Sequence, residues 1–157
     1  MSIERVRKYF EQEGIPNKIL EFSVSSATVA LAAEALGTEP CRIAKTMSFR
    51  VGDAPIVIVL AGDVKVSNKK FKEIFYTKAK MIGYDEVEAA VGHAPGGVCP
   101  FALNEGIKVY LDNSILRFST VFPAAGSANS AVEMTPAELM KYTNAECFVD
   151  VSEPIHS

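Results

Sequence analysis

The sequence contains no apolar run long enough to cross a bilayer; the longest, Ala54–Ala61, has the length of a buried strand. Its N-terminus, MSIERVRKYF, mixes charges into an amphipathic pattern and has none of the apolar core of a signal peptide. Cysteine is scarce. Cys41, Cys99 and Cys147 form no CxxC and cannot all pair, a usage that points to a reducing compartment and so to the cytoplasm. Histidine is scarcer still: with only His93 and His156 beside scattered cysteines there is no zinc constellation, and no metal or cofactor is expected. The glycines spell neither GxGxxG nor a Walker pattern, which removes support for a nucleotide-binding fold. Repeats, low-complexity tracts and linkers are also missing. A single domain over residues 1–157, large enough to bury a core, is the expectation.

Positive charge is short overall, with a net −3 that argues against a protein coating nucleic acid non-specifically. It is unevenly spread, however. Residues 65–80, KVSNKKFKEIFYTKAK, hold six lysines and one glutamate, a local +5 against −8 for the remainder. Such a stretch is either a solvated helix face or a patch that positions one end of a polyanion by its phosphates.

What is present is an irregular interleaving of helix and strand signals. Ile3, Val6 and Phe10 recur at helical spacing before Gly14 and Pro16, and KILEF (18–22) reads as a strand. SSATVALAAEALG predicts a helix with a Ser or Thr cap and Gly37 as its stop, and TEPCRIAK a second short helix with Thr38 as cap and Pro40 in its first turn. TMSFRV and APIVIVLAG read as paired central strands around a Gly52-Asp53 turn. Ser67 can cap a helix through Phe75, 85–91 can form another, and strands are expected near KVYLD (108–112), LRFSTVF (116–122), AVEM and CFVDV. Thr135 with Glu138 fits a capping box opening a helix to about Tyr142. The expected class is α/β (α+β): one mixed, curved β-sheet with surrounding helices.

Three features could carry chemistry. Cys99 lies six residues from His93, and a cysteine nucleophile needs a low pKa and a base within reach. Catalytic pairs are matched in space rather than along the chain, so a small residue packed beneath a turn is the simpler reading. The loop itself, APGGVCPF, pairs Gly96 and Gly97 with stiffening prolines. Such backbone can aim successive N–H groups at an anion or a carbonyl oxygen, or can be a plain connection. Lys45, in CRIAKTMSFRV, stands in apolar company, where a lysine either snorkels to solvent or points into a site.

Taken in order, IAKTMSFRV, VIVLAGDVKVSNKKFKE, VGHAPGGVCPF, VYLDNSI and PAAGSANSAVEMTPAEL resemble the YbaK/EbsC family over residues 20–150. That family includes free-standing aminoacyl-tRNA deacylases and the editing domain of bacterial prolyl-tRNA synthetases. The resemblance implies hydrolysis of the ester joining a wrong amino acid to tRNA, tRNA(Pro) or a related one, with the acceptor end as partner and a synthetase as a further one; the alternative is a non-catalytic tRNA- or synthetase-binding module of the same fold. The family's signature lysine matches Lys45, with Thr46 beside it, and its GxxxP loop matches Gly96, Gly97, Val98, Cys99 and Pro100, with Cys99 on an x position. The implied mechanism uses loop amides on the developing oxyanion, Lys45 for positioning, and the substrate's own ribose hydroxyl or side chain for assistance in place of a general base. The small-residue turn matches Ala125, Gly126 and Ser127; it reads GSANSAVEM, without the Asp that some members carry there. The alignment further suggests Phe22, Thr28, Met47, Phe49 and Ser127 as pocket walls. On a helix capped by Ser67, Lys69 and Lys72 would share a face toward the acceptor stem.

Overall fold

The computed structural model describes residues 2–15 and 19–155; Pro16, Lys18 and His156 lie outside them. In chain order the elements are α1 (Ser2–Gln12), β1 (Ile19–Glu21), α2 (Val29–Leu36), β2 (Ile43–Val51), β3 (Ala54–Ala61), β4 (Val64–Val66) and α3 (Asn68–Phe75). There follow α4 (Val87–Val91), β5 (Lys108–Asp112), β6 (Phe122–Pro123), β7 (Ser130–Val132), α5 (Pro136–Thr143), β8 (Phe148–Val149) and β9 (Ser152–Pro154). The main sheet runs β6-β2-β3-β5-β8. β2 and β3 are an antiparallel hairpin, while β6, β5 and β8 join in parallel, so the sheet is mixed. Two small antiparallel pairs, β1-β7 and β4-β9, flank it.

β3 is the central strand because its apolar run can be buried on both faces, and 56–61 is buried throughout. Val6 and Phe10 of α1 reach the same core, where Phe10 meets Phe101 edge-on at 5.0 Å. Local chemistry sets the helix ends. Thr28, Ser67 and Thr135 each accept a backbone N–H with the side chain, and Thr135 with Glu138 completes the capping box. Gly37 closes α2 in the left-handed region at φ 67°, its N–H and that of Thr38 returning to α2 carbonyls.

Four expectations need correction. TEPCRIAK makes only a 3-10 turn at Pro40–Arg42, and its N-cap position is Glu39 rather than Thr38, whose N–H closes the end of α2. Ile43 then pairs with Phe122 and starts β2, so Lys45 lies within the strand. LRFSTVF is not one strand: Asp112 caps a 3-10 turn over Asn113–Arg117, and pairing resumes only at Val121, which bridges Met134 ahead of β6. CFVDV is cut short because buried Asp112 accepts the Val151 N–H and the Ser152 hydroxyl, which turns the chain into β9. Neither β4 nor its partner β9 was expected. Among the described residues no helix is long and apolar enough to cross a membrane.

Candidate functional site

The outer edge of β2 is paired at both ends and open between them. Ile43 and Ala44 pair with β6, and further along Ser48 accepts the Ile82 N–H while the Arg50 N–H donates to Lys80. Across residues 45–47 no described strand adds to that edge, and a cleft of about 370 Å³ opens there. It is lined by β2, the start of α2, the 81–87 segment and the 95–98 loop. The lining is mostly apolar. None of the described residues lining it carries a carboxylate, imidazole or thiol.

Lys45 lies in this cleft, half-buried, and donates from Nζ to the Val64 carbonyl, which fixes the side chain. Burial pulls its pKa below the usual lysine range, partly offset by the negative charge of Asp63. Asp63 is itself held below the ordinary carboxylate range by its hydrogen bonds to Arg117. The turn bearing Asp63 needs glycine at 62, since a Cβ there would sit 2.1 Å from the Pro40 carbonyl oxygen. Thr46 and Met47 also line the cleft, and Thr46 Oγ1 is buried with no partner among the described residues. Thr28 lines it too, its hydroxyl engaged as the α2 cap.

The glycine loop reaches the cleft through Pro95, Gly96 and Val98. Gly97 packs backbone to backbone on the small-residue turn: a Cβ would lie 3.0 Å from Ser127 Cα and 3.2 Å from the Gly126 carbonyl. The Gly97 N–H donates to Ala94 at 3.0 Å, forming the turn. The N–H groups of Gly96 and Val98 have no backbone acceptor among the described residues, and both residues line the cleft. Gly126 and Ser127 sit behind Gly97, and the Ser127 hydroxyl reaches the cleft only through Ser130, 2.6 Å away.

Other expected residues are placed elsewhere. Phe49 is in the core against Phe71, and Phe22 exchanges hydrogen bonds with Asn129 outside the cleft. Pro100 lines a separate cavity of about 290 Å³ with Tyr9 and Tyr142. Lys69 and Lys72 are exposed on α3, whereas Lys65 and Lys70 are paired with Glu153 and Asp150. Cys99 and His93 do meet, with Sγ 3.4 Å from Nε2, but both are fully buried and neither lines the cleft. Burial pushes the thiol up to about 12 and lowers the imidazole pKa, so both are neutral at neutral pH. Nε2 lies 2.7 Å from the Phe101 carbonyl, to which it must donate; it therefore cannot take the thiol proton. The pair is packing beneath the loop.

What the sequence reading missed is the 81–84 segment. Met81 bridges to Phe49, placing Met81, Ile82 and Tyr84 along one side of the cleft. The local signal for it, MIGY after the lysines, is too short to read without its partner strand.

A family model described as an aminoacyl-tRNA editing domain matches residues 24–142. The chain belongs to this aminoacyl-tRNA editing family. Within similar proteins, the uncharacterized protein YwhH of Bacillus subtilis (strain 168) is 50% identical over 152 residues, spanning 96% of this chain and 97% of that one. A stretch of the proline–tRNA ligase of Staphylococcus aureus (strain Newman) is 32% identical over 84 residues, 53% of this chain and 15% of the ligase. The crystal structure of a proposed trans-editing enzyme for prolyl tRNA synthetase superposes with a TM-score of 0.87 at 27% identity, covering 97% of each chain. Hypothetical protein APE2540 superposes at 0.85 and 29% identity, over 95% of this chain and 99% of that one. The editing-family fold is thus that of the whole described domain.

Proposed function

We propose that this protein is a trans-editing deacylase that hydrolyses the ester of a mischarged tRNA, tRNA(Pro) or a related one bearing a small wrong amino acid. The observation that carries the reading is the cleft itself, lined by Lys45 and by Gly96 and Val98, whose amides have no backbone acceptor among the described residues. Acyl transfer to water places negative charge on the ester carbonyl oxygen, and preorganised N–H groups stabilise that charge without reorganising. The Lys45 ammonium has three donors, of which Val64 takes one; the others are available to a ribose or phosphate oxygen. Water's oxygen bonds to the acyl carbon, the bond to the ribose oxygen breaks, and that oxygen leaves as a hydroxyl carrying a proton.

With no carboxylate, imidazole or thiol on the lining, the proton transfers fall to the substrate's own hydroxyl and to water. A mostly apolar lining without a carboxylate also disfavours basic amino acids, and a cleft of this size works as a size sieve. The acceptor end is then the polyanion served by the exposed lysines of α3, and a synthetase is a further partner suggested by the prolyl-tRNA ligase relatives. The test is deacylation of a panel of mischarged tRNAs, including Ala-, Ser- and Cys-tRNA(Pro). Release of one small amino acid well above the spontaneous rate is expected. Tight binding with no release on any member overturns the enzyme reading in favour of a binding module.

A further inference from the structure

Large exposed apolar side chains are costly to leave in water, and two of them sit at the mouth of the same cleft: Met81, 59% exposed, and Tyr84, 78% exposed. They are not on a loose segment. Ile82 between them is buried, its N–H bound to Ser48, and the Phe49–Met81 bridge ties the strand to β2. Past Tyr84, the Gly83 carbonyl accepts the Glu86 and Val87 N–H groups, Glu86 pairs with Arg50, and buried Val87 returns to the core. Tyr84 is thus an exposed ring on a turn anchored at both ends. It stacks on no other ring and its hydroxyl has no partner among the described residues. Exposed Tyr76, at 90%, differs: it is the left-handed C-cap of α3, which accounts for its position, and it lines no cleft.

We infer that Tyr84 is a stacking platform for the terminal nucleobase of the acceptor end, with Met81 as the apolar edge beside it. The role rests on the deacylase reading, in which the aminoacyl group occupies the cleft and the ribose lies at its mouth. A base attached to that ribose must then leave over the rim, and Tyr84 offers it a flat, apolar, preorganised face. A stacking contact of this kind tolerates any base, so it supplies affinity for the nucleotide and leaves selection to the cleft.

The decisive experiment measures Kd by calorimetry for 3′-(L-alanylamino)-3′-deoxyadenosine, an amide that cannot be hydrolysed, and for the same compound lacking the base. Deleting the base should weaken binding to the wild type by about 5- to 100-fold. Tyr84→Ala should weaken the nucleoside compound by a similar factor, leave Tm unchanged, and make base deletion nearly silent. Tyr84→Phe should restore the affinity. Equal weakening of both compounds by Tyr84→Ala, or none of either, overturns the platform. A wild type that deacylates tRNA while Tyr84→Ala binds the nucleoside normally refutes this inference alone. A wild type that neither binds the compounds nor deacylates any tRNA removes the functional reading and the platform together.

Discussion

The two sides of the 93–101 loop carry opposite chemistry. One side holds the residue types most often associated with hydrolysis, a thiol 3.4 Å from an imidazole, and both are buried and neutral. The other side brings Gly96 and Val98, whose N–H groups have no backbone acceptor among the described residues, to a cleft that a half-buried lysine also lines. Reactivity is set by exposure and pKa, and by those measures the chemically named side chains are scaffolding while the loop residues that line the cleft are glycine and valine. The contrast also shows why a Cys–His spacing is poor evidence by itself: the core needs a small polarizable group under the turn, and Cys99 fills that space.

The largest effect that would break this comparison lies at Lys45. Lys45→Ala should lower deacylation by about 10²-fold or more through loss of positioning, and Tm should change little because the side chain is only half-buried. Wild-type turnover by Lys45→Ala on every active substrate would take that wall out of the mechanism.

A smaller effect is expected farther from the cleft. Of the lysine-rich stretch, Lys65 and Lys70 are neutralised by Glu153 and Asp150, so exposed Lys69 and Lys72 are the α3 charges available to tRNA phosphates. Replacing both with Ala should reduce the salt dependence of tRNA binding by about one to two units of log–log slope, while a minimal aminoacyl-adenosine substrate is processed at the normal rate. Equal loss on both substrates would assign these lysines to the fold or the pocket.

The buried side makes a prediction about pH. Burial lowers the folded-state pKa of His93, so near and below the ordinary histidine value of about 6.5 the unfolded chain binds more protons than the folded one. The stability associated with neutral His93 is fully present above that value and is lost as pH falls through the window beneath it, with a slope of up to about 1.4 kcal/mol per pH unit. Thermal melts from pH 7.5 to 5 should show this extra loss in the wild type and a flatter profile in His93→Gln, compared as slopes because the substitution itself costs stability. Parallel profiles would mean that the imidazole is not held neutral by the core.

How much of this was legible in the sequence follows the range of the interactions. Thr28, Ser67, Thr135 with Glu138, and the Gly52-Asp53 turn act over a few residues, and each element they govern was readable. The apolar run 54–61 could only be a buried strand. The misread segments are set by distant partners. Asp112 ends β8 through Val151 and Ser152, Arg117 is drawn to Asp63, and Met81 finds the edge of β2 through Phe49. For the site, pattern reading isolated Lys45 and the glycine loop, and the family resemblance added Thr28, Thr46 and Met47, which also line the cleft. It also put Phe49 on the wall, whereas strand geometry turns that ring into the core beside Phe71. Met81 and Tyr84 lie in a segment, MIGY, too short to read without its partner strand.

The central claim, that the loop works through its backbone and not its thiol, is tested most directly by single-turnover deacylation with Cys99→Ala. The account predicts a rate within about threefold of wild type, together with a Tm lowered by the small cavity left in the core. A folded Cys99→Ala protein slower by about 10³-fold, on a substrate the wild type hydrolyses, would contradict it and make the buried thiol the nucleophile.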